Sequence, residues 1–285
     1  MDLTSQVIDA INGWLAAAAA QVLPPVFTVI GHLLFTTPAF DGIAEIEATW
    51  SLVRGVADAL FGLALLAVGV AVMVRGGSDA RYSAKVLVPR LVLAAALANA
   101  SLVLCGGLIR LNNAIVGAVV RTDPSADAFG QLAAGMTGDG RGSTPLVVVL
   151  VGLVVAVMAM LLAVVYLARD LGLVLAIVIA PLALAALSLP MGHEVARLWA
   201  RLFAALLFVQ VIQAALVAVG LQLIAHLEWL GAEASALGSG LVLVTLLYVL
   251  VQLPLAACRW ALQQPAAVIA PTLALIGVAR RRLAI

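Results

Sequence analysis

Few residues of this chain could carry chemistry, and their spacing points away from catalysis. The three histidines, His32, His193 and His226, are scattered with no metal-ligand spacing. Cys105 and Cys258 lack the spacing of a zinc or haem site and read as small apolar fillers. The chain has no glycine-rich phosphate loop, no nucleophile elbow and no Asp-rich nucleotide or prenyl motif. His193-Glu194 is a lone dyad that reads as interfacial polarity. No catalytic, metal-ligating or cofactor-binding residue is therefore assigned, and no cofactor is expected.

What remains is a small set of polar groups inside long apolar runs. Ionisable residues in a membrane span are functional candidates by default, because burying them in lipid is expensive. Arg54 and Asp58 lie one turn apart and can pair. Arg169 and Asp170 are the one charged dipeptide within Pro145–Pro190. As helix neighbours they point in different directions, so each is expected to need its own partner. Asn99, and Gln210 with Gln213 on one face, are amides suited to bonds between helices, worth on the order of 1 kcal/mol each. The plainer reading of both charged pairs is an anchor at a membrane edge. Gly55, Gly62, Gly69 and Gly76 recur every seventh residue, a stripe along which a neighbouring backbone could approach. Pro181 interrupts the apolar run after Asp170, and such a break must be covered by protein or line a cavity.

The elements that position these groups follow from composition. The chain is 65% hydrophobic and 10% charged, whereas a soluble domain is about half apolar and about a quarter charged. Its solvent must be lipid. Long unbroken apolar runs suit spanning helices and not the alternation of barrel strands, so an all-α integral membrane protein is expected. Five spans are read at residues 51–74, 87–109, 145–168, 202–225 and 239–258. Residues 2–35 are apolar enough to touch the membrane, but Pro24-Pro25 should split them into a helix pair. The organisation expected is an N-terminal membrane-associated or periplasmic helical region over 1–50 and a transmembrane domain over 51–258. Within that domain, 110–144 forms a polar extracytoplasmic loop, and 259–285 is a cytoplasmic tail. The acidic N-terminus, MDLTSQVIDAING, lacks the basic start of a signal peptide.

Charge sets the orientation. Cytoplasmic loops are enriched in Lys and Arg. If Leu171–Leu189 is re-entrant or interfacial and does not cross, Arg75, Arg81, Lys85, Arg90, Arg169, Arg197, Arg201, Arg259 and Arg280–Arg282 all lie inside. If that segment crosses, Arg197, Arg201, Arg259 and the terminal triplet move outside. The first arrangement is preferred: N-terminus outside, C-terminus in the cytoplasm of a bacterial inner membrane.

Several local patterns resemble the TrbL-like polytopic inner-membrane subunits of type IV secretion and conjugation systems. Trp50 with Arg54-Gly55-Val56-Ala57-Asp58 resembles the opening of that family's first span. Pro89-Arg90-Leu91 and Ala98-Asn99-Ala100-Ser101 resemble its second. Arg169, Ala180-Pro181-Leu182-Ala183, Pro190, Trp199 and Gln210 with Gln213 resemble its central block. The resemblance covers about residues 45–215, and the family's long variable tail is absent from it. It implies a structural or channel-forming subunit and not an enzyme, working as a homo-oligomer in the lipid bilayer. Other secretion subunits (ATPase, pilin-like, scaffold) would be partners, and DNA–protein cargo would pass in transit. Arg54, Asp58, Asn99, Gln210 and Gln213 would then be interface or lumen groups, and Arg169, Asp170 and Pro181 would shape the inner mouth. A small-solute or ion transporter is the alternative, with Arg54, Asp58 and Asn99 as its site.

Overall fold

The computed structural model describes residues 3–38, 40–75, 78–120, 146–188, 192–226 and 232–263. Within them the apolar runs form six helices: α1 (Leu3–Phe35), α2 (Ala44–Arg75), α3 (Ser78–Val119), α4 (Leu146–Ala185), α5 (His193–Ala225) and α6 (Ala232–Gln263). Short 3₁₀ turns at Phe40–Gly42 and Ala186–Ser188 lead into α2 and out of α4. No strand occurs among the described residues. Five helices, α2 to α6, are long and apolar enough to cross a membrane.

The N-terminal region is one helix and not a pair. Pro24 and Pro25 sit inside α1 without ending it. Each removes one main-chain donor, but the carbonyl of Pro24 gains the Thr28 hydroxyl at 2.9 Å. What holds the helix through the prolines is packing. Leu23, Phe27, Ile30 and Leu34 form one buried stripe in the same cluster as Val155, Leu162 and Tyr166 of α4 and Leu243, Leu247 and Leu250 of α6. A stripe at i, i+4, i+7 and i+11 needs continuous helix to stay on one face. The apolar part of α1, Gln21–Phe35, is shorter than a full span.

The larger correction concerns Leu171–Leu189. From Leu171 to Ala185 the chain does not turn back. It continues α4, which runs unbroken through Arg169, Asp170 and Pro181 to Ala185. No glycine or proline stands between Ala168 and Leu171, and the charged pair finds its partners inside the protein. The return is made later, at Ala186–Ser188 and Gly192. A side chain at Gly192 would run into the Ala186 carbonyl, so only glycine fits the approach to α5. The number of long apolar helices is still five, because the added length belongs to α4. At 1.5 Å per residue its 40 residues reach about 60 Å, roughly twice the hydrocarbon thickness. Such a helix tilts or stands proud of the bilayer.

Two other boundaries move. The segment expected as a loop from residue 110 is helical to Val119, so Arg110, Asn112 and Asn113 belong to α3. The last helix runs past Cys258 to Gln263. The remainder of that loop, Gly76 and the arginine triplet lie outside the described residues.

The core has two ends. In one, α1 packs with the first half of α4, the second half of α5 and α6. In the other, Cys105 and Ile109 of α3, Leu173, Ile177 and Ala180 of α4, and Phe203 and Leu207 of α5 meet around Phe40. Beyond that, Ala57 and Phe61 of α2 lie against Leu91, Ala94 and Ala98 of α3 and Ala185 of α4. Arg169 stands where the two ends join.

Candidate functional site

The polar centre is built on α4. Its Arg169 side chain is fully buried and that of Asp170 nearly so, at 0% and 12% exposed. Neither is an edge anchor. The guanidinium uses every nitrogen: Nε donates to the Leu206 carbonyl at 2.8 Å, Nη1 to Asp170 at 3.4 Å, and Nη2 to Thr37 Oγ1 at 2.9 Å and Gln210 Oε1 at 3.0 Å. The neighbouring residues therefore do pair with each other, contrary to expectation, because the long arginine side chain folds back while its fork reaches α5 and the α1–α2 connection.

Gln210 is the second hub. Its Oε1 also accepts from Thr37 Oγ1 at 2.7 Å and Asn112 Nδ2 at 2.8 Å, and its Nε2 donates to the Leu34 carbonyl at 2.9 Å. Asn113 grips the same connection by its backbone, accepting from Thr37 N at 3.1 Å and donating to Thr37 O at 2.9 Å. One turn along α5, Gln213 Nε2 donates to the Leu250 carbonyl of α6 at 3.0 Å. The network thus ties α1, α3, α4, α5 and α6 at one level. Asn112 Oδ1, Tyr166 OH and Gln213 Oε1 are buried beside it without a protein partner.

A second polar group lies on α2 and α3, and it is half-exposed. Arg54 Nε stands 3.9 Å from Asp58, with the two side chains 41% and 43% exposed. Asn99 Nδ2 donates to Asp58 at 3.0 Å and to its own helix at the Ala95 carbonyl. The Arg54 guanidinium sits 5.1 Å from the centre of the Trp50 ring, a cation–π distance. Trp50 in turn donates to Ser101 at 2.9 Å. Arg54, Asp58 and Asn99 are therefore brought together. Arg169, Asp170, Gln210 and Gln213 gather elsewhere, and Pro181 is buried in α4 apart from both.

The described part of the glycine stripe finds no neighbour among the described residues. Nothing comes within 4 Å of a side-chain position at Gly55, Gly62 or Gly69. Thr37, Asn112 and Tyr166 were not singled out from sequence. The adjacent amides Asn112-Asn113 near the end of an apolar run were the available signal; Thr37 offered none, being a common residue beside a proline.

A buried, internally neutralised ion pair with a shell of amides can fix helix positions, and it offers no nucleophile or base to a substrate. The family model for TrbL/VirB6 plasmid conjugal transfer-like proteins matches residues 1–284. The chain belongs to this family. As a TrbL/VirB6 member it is a membrane component of a conjugal transfer system, in a family of structural transfer subunits and not a known enzyme family. With its five long apolar helices, this TrbL/VirB6 protein is a multi-pass inner-membrane protein of a multi-subunit system. No curated protein and no solved structure matches the chain.

Proposed function

We propose that this TrbL/VirB6 protein is a structural subunit of the inner-membrane part of a type IV secretion apparatus. It packs with copies of itself and with other subunits around a path for a DNA–protein substrate or for pilus assembly. The observation that carries this reading is the Arg169 centre. Each of its three guanidinium nitrogens is bonded within the chain, so the strongest intramembrane charge holds helices together and does not wait for a solute. The cavity between α1 and α4, about 490 Å³, is lined by apolar side chains from Ala18 and Val22 to Met160 and Val164. It gives a polar solute nothing to bind.

In this reading Arg54, Asp58 and Asn99, with Gly55, Gly62 and Gly69, form the face offered to neighbouring subunits. Arg169, Asp170, Gln210 and Gln213 keep the chain rigid behind that face. The N-terminus is extracytoplasmic and the C-terminus cytoplasmic. Mild-detergent extraction from the native host tests the assembly: the chain should run far above monomer size and bring other transfer subunits with it. Recovery as a lone monomer at native abundance, with ion or solute flux in liposomes made from the chain alone, would favour the transporter alternative.

A further inference from the structure

We infer that Tyr166 and Gln213 hold a single buried water molecule between α4 and α5. Both side chains are fully buried. Each keeps one polar atom without a protein partner, the Tyr166 hydroxyl and Gln213 Oε1. Leaving either bare would cost about 1–3 kcal/mol.

Register brings the two residues to one level. The helices are antiparallel: Trp199 of α5 bonds the Ala176 carbonyl of α4, and Arg169 of α4 bonds Leu206 and Gln210 of α5. One turn back along α4 is Tyr166, and one turn forward along α5 is Gln213. Gln213 Nε2 is fixed on the Leu250 carbonyl, and Leu250 shares a core cluster with Tyr166. The amide is thereby held with its oxygen free.

The chemistry of the two orphans selects the ligand. A hydroxyl can donate and accept, while a carboxamide oxygen only accepts. A water can accept a hydrogen bond from the tyrosine hydroxyl and donate one to Gln213 Oε1, and buried waters characteristically bridge such unsatisfied groups. A cation is disfavoured by the Arg169 guanidinium one turn away. Lipid offers no donor to Gln213. The bridge extends the Arg169–Gln210 network across to α6, so the same polar level fastens α4 to both of its late neighbours.

X-ray radiolytic labelling of the full chain in nanodiscs, in heavy-oxygen water, tests this directly. Radicals formed at a bound water oxidise the side chain beside it, whether or not bulk solvent reaches it. The expected result is heavy oxygen on Tyr166, none on Phe203, which is buried but slightly more exposed, and a several-fold loss of Tyr166 label in Gln213→Leu. An unlabelled Tyr166, a label unchanged by Gln213→Leu, or equal labelling of Phe203 would each overturn the inference. If Gln213→Leu does not fold, Tyr166→Phe decides by thermal midpoint. A fall supports the bridge, because a bonded hydroxyl has been lost; an unchanged or raised midpoint shows the hydroxyl was idle and overturns it.

Discussion

Arg169 shows why one charge can be worth more to this protein than the many arginines at its edges. Removing it leaves Asp170 buried and unpaired and strips a donor from Thr37 and Gln210. Breaking a buried pair in this way costs about 3–5 kcal/mol. Arg169→Ala is therefore expected to lower the thermal midpoint sharply in detergent. Arg169→Lys should fail to restore it, because one ammonium cannot reach the Leu206 carbonyl, Asp170, Thr37 and Gln210 as a planar fork does. The Arg54–Asp58 pair should behave differently. It is half-exposed and stretched to 3.9 Å, so Arg54→Ala should change stability by less than about 1 kcal/mol. If the face it occupies is covered by a neighbouring subunit, the same substitution should still weaken the detergent-stable assembly. Loss of stability without loss of assembly would place the pair inside the chain's own folding instead.

The helices were legible from hydropathy, and their ends were not. The five long apolar runs needed only composition and length, so all five helices could be read before any geometry. The continuity of α4 could not. A charged dipeptide in an apolar run reads as a membrane edge unless its partners are known, and Thr37, Leu206 and Gln210 are distant in sequence. Likewise Pro24-Pro25 reads as a break until the stripe Leu23–Leu34 is seen to have a surface to pack on. Gln210 and Gln213 were recognisable as a shared polar face, but not that the first would bind α1 and the second α6. The relocated α4–α5 return makes a test at this scale. Gly192→Ala puts a methyl group against the Ala186 backbone, which cannot move aside cheaply. Gly220→Ala meets only the flexible end of Leu246, at 2.8 Å. The first is expected to destabilise by roughly 1–3 kcal/mol, as overpacking does, and the second by less, measured by chemical or thermal denaturation in one detergent. The reverse order would mean the return is not where α4 ends at Ala185.

Across the whole molecule, the polar level around Arg169 joins two apolar clusters of helices, and the half-exposed group on α2 and α3 lies toward one of them. In the proposed assembly such a subunit has a firm interior and turns this half-exposed group toward its neighbours. The proposed orientation rests on the basic residues near the α4–α5 return. Arg90 reaches the Leu187 carbonyl and His193, and Arg197 pairs with Glu194 at 3.0 Å. In a chain freed of Cys105 and Cys258, a cysteine at position 193 should label from the cytoplasm and one at 231 from outside. Labelling of both from one side would mean that α5 does not cross. The central claim, a structural subunit of a conjugative machine, is tested most directly by transfer frequency in the native host. An in-frame deletion should abolish DNA transfer, wild-type chain should restore it, and Arg169→Ala should not, while the other transfer subunits are still produced. Transfer at wild-type frequency from the deletion strain would contradict the account.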